Sequence, residues 1–316
     1  MQVDAVAPDL AAQPTLSKRD GRAMEAILSI SNRPPNPNEI LFLASSLLRF
    51  TLPHRRPVEN TFCRRDGALT VSFLAPRDIG LPFGRWPRLI LIYLTTQAVR
   101  TRSRDIQLDR SMKSFMRIFG IAATGGSNGS IRQFKEQLLK TASMSAVISN
   151  VSDEAASLLN RPLADQYTLR WDAICANQGD KQPAMIRLGE RVYDEMIKSA
   201  VPLDARAIKA LQQSPLALDL YCWLTYRVHG IVRTTKIPLE DFRNQFGVSY
   251  TANADFRRAF AGAISEVVRV YPRLNCQLLD THLQLMKSET SVPSAKVAGR
   301  RSASGIVNGT ARVIHA

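Results

Sequence analysis

Apolar residues recur three and four apart over Arg85 to Arg100, where Leu89, Ile92, Tyr93 and Thr96 share one helical face and Pro87 stands near the start. The same spacing predicts a helix over Ser111–Phe119, with Phe115, Ile118 and Phe119 inward and Gly120 as its stop. A third helix is predicted over Ser130–Thr141, with Ile131, Phe134, Leu138 and Leu139 inward. Asp105 to Leu108 reads as a short strand between the first two helices, and alternating runs at Ala146–Val151 and Gln166–Trp171 follow the third. Upstream, Thr61-Phe62-Cys63 and Leu69–Leu74 flank Arg64-Arg65-Asp66-Gly67, a hairpin signal. From Arg85 onward the order is α-β-α-α-β-β, that of a winged helix.

The second half repeats it. Helix Leu216–Val228, strand Thr235–Ile237 and helix Leu239–Phe246 lead to a long helix over Ala254–Val270, then strands at Asn275–Leu279 and His282–Leu285. Tyr93 lies 26 residues before Phe119 and Tyr221 lies 25 before Phe246, and both middle helices close on Phe-Gly. The expected fold is therefore α+β, mainly helical, with two tandem winged-helix domains. The first is placed at 40–200, with the N-terminal hairpin and extra strands, and the second at 201–287. Residues 1–39 hold five prolines and read as a flexible arm with one short helix, Arg22 to Ser29. Residues 288–316 read as a disordered basic tail carrying Lys296, Arg300, Arg301 and Arg312.

Charge sharpens this picture. The 316 residues carry 42 Lys+Arg against 27 Asp+Glu, a net +15 that calls for a polyanionic partner. Between Arg85 and Lys140 there are eleven bases and three acids, whereas Asp153 to Asp219 holds ten acids and eight bases. Phosphate neutralisation explains such concentration, because binding strengthens with each counterion released. Four cysteines and four histidines are scattered without metal-ligand spacing, and no phosphate-cradling or nucleophile motif occurs. The reading is thus of a non-enzymatic protein with no metal and no cofactor. No apolar run is long enough for a membrane span, and the N-terminus lacks a signal peptide pattern, so a cytoplasmic location without membrane contact is expected.

The third helix of each half is where a base-reading helix lies in this fold. Ser127, Asn128, Ser130, Arg132, Gln133 and Lys135 cluster at the start of the first. Asn253, Arg257 and Arg258 hold the same place in the second, with Arg233 and Lys236 upstream of them. Arginine suits guanine and Asn or Gln suits adenine in the major groove. In the run Arg100-Thr101-Arg102-Ser103-Arg104, alternate side chains such as Arg102 and Arg104 suit the sugar-phosphate backbone. The competing account of each residue is an ordinary solvated helix face. Tyr93, Trp171, Tyr221 and Trp223 read as core rather than stacking platforms.

Pro87-Arg88-Leu89, Thr95-Thr96, Ala98 through Arg104, Ile106, Leu108, Phe115-Met116, Gly120, Thr124-Gly125-Gly126, Gly129-Ser130-Ile131 and Gln137 together resemble the RepA type of plasmid replication initiator. The resemblance is clearest over roughly 60–172 and thins towards 286. Gln97, in place of an acid, and Asp109, in place of glycine, depart from the pattern outside the proposed reading helices. It implies a tandem winged-helix protein that binds direct repeats (iterons) of double-stranded plasmid origin DNA. It further implies opening of adjacent A·T-rich DNA, recruitment of host DnaA and the replicative helicase, and a homodimer in equilibrium with monomer joined through the first domain. The residues themselves reach only a two-module duplex binder, and a winged-helix transcriptional regulator repressing its own gene is the nearest alternative. A rolling-circle nickase needs clustered histidines that are lacking, and no RNA-binding motif is present.

Overall fold

The computed structural model describes residues 18–49, 51–66, 69–108, 111–151, 156–171 and 184–293, and holds ten α-helices and twelve strands among them. Helix α3 (Arg85–Thr101) is buried from Trp86 through Thr96 and again at Ala98. Its apolar run is thus wider than the single stripe read from the sequence, because both halves of the chain pack on it. A helix apolar all round must be covered all round.

Two repeats of one topology share this core. The first comprises α3, β4 (Asp105–Gln107), α4 (Ser111–Phe119), α5 (Ser130–Ser143), β7 (Ala164–Thr168) and β8 (Met185–Leu188). The second comprises α8 (Pro215–Arg227), β10 (Thr235–Pro238), α9 (Leu239–Phe246), α10 (Asn253–Val270), β11 (Cys276–Leu278) and β12 (His282–Leu285). In each, the last strand lies between the other two, antiparallel to both, giving β4-β8-β7 and β10-β12-β11. Matching phenylalanines fill the angle between the helices. Phe115 stands 4.7 Å from Phe119 and 4.8 Å from Phe134, and Phe242 stands 6.2 Å from Phe246 and 4.8 Å from Phe260.

The two Phe-Gly stops have different causes. Gly120 takes a left-handed φ of +64°, the turn that ends α4. Gly247 has an ordinary backbone, but a Cβ there would lie 2.7 Å from the Arg243 carbonyl oxygen. One motif in the sequence thus answers two constraints, geometry in one copy and space in the other.

Of the two strands expected to form the first wing, Gln166–Trp171 overlaps β7, in the sheet with β4 and β8, whereas Ala146–Val151 is placed differently. Strand β5 (Ser145–Val151) and β6 (Ala156–Pro162) do not pair with β4. They join β2 (Thr61–Asp66) and β3 (Leu69–Leu74) in an antiparallel sheet of order β2-β3-β5-β6. Val71 and Phe73 carry its buried face and pair with Ile148 and Ala146. Local alternation shows that Ala146–Val151 is a strand but not which strand it meets.

Both expected tails are partly folded. Helix α1 (Lys18–Asn32) packs on α7 (Ala205–Leu211) with Ile27 and Ile30 against the core. The Arg206 guanidinium fastens it, donating to the carbonyls of Ser29 (2.8 Å) and Arg33 (3.1 Å) while paired with Asp204 at 2.7 Å. Strand β1 (Ile40–Ala44) pairs with β9 (Ala200–Asp204), between α6 (Glu190–Lys198) and α7. Short α2 (Ser46–Arg49) follows β1. At the other end, Tyr271 donates its hydroxyl to the Glu289 carbonyl at 2.9 Å, and Val292 is buried with Ile40 and Phe42. The remainder of both expected tails, 1–17 and 294–316, lies outside the described residues. No helix among the described residues is long and apolar enough to cross a membrane.

A buried ion pair joins α3 to α8. Arg88 meets Asp219 with two bonds of 2.7 Å, Nε to Oδ1 and Nη2 to Oδ2. Its other N–H groups donate to the carbonyls of Leu52 (2.6 Å), Gly84 (2.7 Å) and Pro53 (3.3 Å). His54 closes the site, its Nε2 lying 2.8 Å from Asp219 Oδ2 with a side chain only 7% exposed. Burial pushes the Asp219 carboxyl up, but Arg88 and His54 outweigh that and hold it below the usual carboxylate range. Burial and the neighbouring Arg88 charge push His54 down, so it stays neutral.

Arg88→Ala is expected to cost about 3–5 kcal/mol, because Asp219 is left buried and unpaired; urea denaturation measures it. His54 also gives a pH dependence. Its folded pKa is depressed, so the unfolded chain binds the proton first as pH falls through the ordinary histidine value of about 6.5. The urea midpoint should therefore drop from pH 7.5 to 5.5, and His54→Gln, which keeps a donor to Asp219, should flatten that drop.

Candidate nucleic-acid interface

The helix pairs α4–α5 and α9–α10 present the predicted residues in very different ways. The loop before α5 is closed by its own hydrogen bonds. Ser130 N–H donates to Thr124 Oγ1 (3.0 Å), Thr124 N–H donates to Ser130 Oγ (2.9 Å), and Ser130 Oγ–H donates to the Ala122 carbonyl (2.6 Å). Ser130 is buried by this arrangement, so its hydroxyl serves the loop. Gln133 is likewise engaged, accepting from Trp86 Nε1 (2.7 Å) and donating to the Asn128 carbonyl (2.9 Å). Lys135 lies half-buried over the Trp171 ring at 5.6 Å.

What α5 leaves to solvent is narrow. Along the helix only Arg132 and Glu136 are exposed, and Arg132 leans back on the Ser127 carbonyl at 3.3 Å. Ser127 and Asn128 are exposed on the loop ahead of it, and Lys113 and Arg117 are exposed on α4. Two of the eleven bases counted in this stretch are internal: Arg88, paired with Asp219, and Lys140, paired with Glu136 at 2.8 Å and lying over the Phe83 ring. Arg110 lies outside the described residues.

Helix α10 is open where α5 is closed. It buries Phe256, Phe260, Ala263, Ile264, Val267 and Val270 and exposes most of its other positions. Asn253, Arg257 and Arg258 are all exposed, as are Arg233 and Lys236 beside and on β10. Arg257 Nη2 donates to the Asp280 carbonyl in the β11–β12 turn at 2.9 Å, and Arg258 Nη2 pairs with Asp255 at 2.6 Å. Asp255 and the β11–β12 turn were not among the residues picked from the sequence. An acid three residues before an arginine was the visible signal for the first, and the gap between the strands expected at Asn275–Leu279 and His282–Leu285 was the signal for the second.

The arginine run after α3 is divided. Arg100 donates to the Ile40 carbonyl at 3.0 Å. Arg104 is bound into the sheet, donating to the Leu188 carbonyl at 2.8 Å and pairing with Asp165. Arg102 alone of these three points to solvent with no side-chain partner among the described residues, and its backbone is left-handed at φ +54°. It is the one non-glycine among the described residues with positive φ. Arg104 therefore orients β4 against β8, and Arg102 is the cation free for a polyanion.

Of the aromatic residues read as core, Tyr93 and Tyr221 are buried and Trp171 and Trp223 half-buried. Among the described residues no group of His, Cys, Asp or Glu side chains converges as a metal site.

Residues 81–237 match the profile of a family described as plasmid encoded RepA protein. Among solved structures, the crystal structure of selenomethionine derivatives of domain 2 and domain 3 of RctB is similar over 77% of this chain and 96% of that one. Its TM-score is 0.53 at 8% identity. A second crystal structure of RctB domains 2–3 is similar over 76% and 95%, with TM-score 0.50 at 9% identity. At such identities the likeness is one of fold. No protein of curated function matches the sequence.

Arg102 stores a backbone cost that glycine would not carry. Arg102→Gly is expected to raise the unfolding free energy by about 0.5–1 kcal/mol, the left-handed penalty less the extra entropy of the unfolded glycine. Urea denaturation of the two proteins side by side measures it.

Proposed function

Over residues 81–237 the chain belongs to the plasmid-encoded RepA family, and on that premise we propose that it is a replication initiator which binds direct repeats of its origin as duplex DNA. The two repeats of helix-strand-helix-helix-strand-strand act as tandem winged-helix modules, with β7–β8 and β11–β12 as their wings. The likeness to a pair of RctB domains supports a two-domain reading of the fold.

The observation that carries the proposal is the contrast between α5 and α10. An open helix with exposed arginines suits entry into a major groove. A helix embedded on most sides, with a short exposed loop and Lys113, Arg117 and Arg102 in the same half, suits phosphate contact. The second module then reads sequence and the first holds the backbone. Two unlike surfaces in one chain demand an asymmetric site, which fits direct repeats better than a palindrome. DNA is opened by binding free energy alone, without catalysis, metal or cofactor. Host DnaA and the replicative helicase are its partners, and a homodimer joined through the first module exchanges with the monomer that binds repeats; the resemblance supports these.

Footprinting on DNA flanking its own gene tests the proposal. Several protected direct repeats at even spacing are expected, and a single palindromic operator would replace the initiator with a transcriptional regulator. Nicked circles on incubation with supercoiled origin DNA and Mg²⁺ would overturn the absence of catalysis. On both repeat and random duplexes, Arg102→Gly should lower the slope of log affinity against log salt by about one.

A further inference from the structure

We propose that Arg258, held by Asp255, is the base-discriminating side chain of α10, and that Arg257 is a positioning residue that ties this helix to the β11–β12 turn. This assignment rests on the DNA-binding reading above and divides two adjacent arginines that the sequence does not tell apart.

The helix geometry separates them. Successive residues on a helix are 100° apart, so the side opposite Phe256, Phe260 and Ala263 is centred on Ala254, Arg258, Ala261 and Ser265. Arg258 occupies the middle of that outward side with its side chain 82% exposed. Ala254 and Ala261 beside it are short, so the arginine is the longest group there. Arg257 stands a quarter-turn away on the flank facing the β11–β12 turn, where it donates to the Asp280 carbonyl at 2.9 Å.

The chemistry of the two contacts differs accordingly. Asp255 Oδ1 accepts from Arg258 Nη2 at 2.6 Å, three residues apart on the same helix. That bond fixes the plane of the guanidinium and leaves its other N–H groups to donate in parallel to guanine O6 and N7. The remaining Asp255 oxygen accepts from a cytosine N4 amino group. The target is thus a G·C pair in the major groove. Arg257 reads nothing; its bond sets the distance between α10 and the turn, so that helix and wing meet the duplex as one body. In α5 no such division exists, since Arg132 is its one exposed cation.

The test uses the full chain, a duplex carrying one footprinted repeat, its single base-pair variants, and a random duplex of equal length. Arg258→Ala should weaken the repeat by about 5- to 150-fold and erase discrimination at one G·C pair, with little change on random DNA. Asp255→Asn should weaken discrimination at that same pair. Arg257→Ala should weaken the repeat and all its variants by one common factor, keep discrimination, and lose hydroxyl-radical protection of the phosphates under the turn. Arg257→Lys should restore that protection, because a single donor reaches the carbonyl. Discrimination lost in Arg257→Ala and retained in Arg258→Ala overturns the assignment. If the unmodified chain selects its repeat and Arg258→Ala selects it equally well, the assignment falls alone. If the unmodified chain prefers no duplex over random DNA, the DNA-reading function falls and the assignment with it.

Discussion

The relation between the two repeats rests on Arg88 and Asp219. These residues lie 131 positions apart, one on α3 and the other on α8. Charges are expensive to bury, and a pair repays that cost only with good geometry and no donor left over. Here every N–H of the guanidinium has an acceptor: two oxygens of Asp219 and three backbone carbonyls from the segments before and at the start of α3. A lysine has one nitrogen and could not serve five acceptors spread in a plane. An apolar pair would bury as well but would tolerate sliding, whereas a forked ion pair admits one relative placement of the two helices. His54 adds to the demand, since its Nε2 meets Asp219 at 2.8 Å while burial and the nearby Arg88 charge push it towards the neutral form.

That placement explains why copies with one topology expose different surfaces. In the first, α5 is covered from three directions: by α3, by β7 with Trp171, and by the segment bearing Phe83. Its N-terminal loop spends its hydroxyls on itself. In the second, α10 packs on α8 and leaves its far side open. The inserted β5–β6 hairpin extends the divergence, because it gives the first copy a sheet that the second lacks. The two repeats share a topology, and packing around the shared core decides which of them leaves its long third helix open.

Much of this was legible in the sequence, and the failures have one cause. The limits of α4, α9 and β12 follow from local spacing and from the Phe-Gly stops, and they agree with the structure residue for residue. Local information fails where the partner is distant. Ala146–Val151 is a strand by its alternation, but its pairing with β3 depends on register with residues far upstream. Arg88 and Lys140 counted as free cations until their partners were placed. Ser130 and Gln133 suit a base-reading position by type, and only the turn geometry reveals that Thr124 and Trp86 already occupy them. Helix α1 was legible only as its middle, Arg22 to Ser29, and its docking could not be read because it depends on the distant Arg206.

The same accounting bears on how an arginine surface binds DNA at useful strength. A long flexible side chain loses about 0.5–1.5 kcal/mol of rotamer freedom when an interface immobilises it. Arg132, Arg257 and Arg258 are each held beforehand by a partner in the chain: the Ser127 carbonyl, the Asp280 carbonyl and the Asp255 carboxylate. Part of that ordering is therefore already complete in the free protein. The carbonyl tethers leave the arginine charge uncompensated, so they orient without weakening attraction for phosphate. The carboxylate tether does compensate it, which lowers attraction for phosphate in general while leaving a paired donor and acceptor suited to one base pair. On the proposed function, a chain with net charge +15 needs little further attraction to DNA. On that reading its greater need is to avoid dwelling on the wrong sequence, and an acid set against an arginine on the open helix would meet that need.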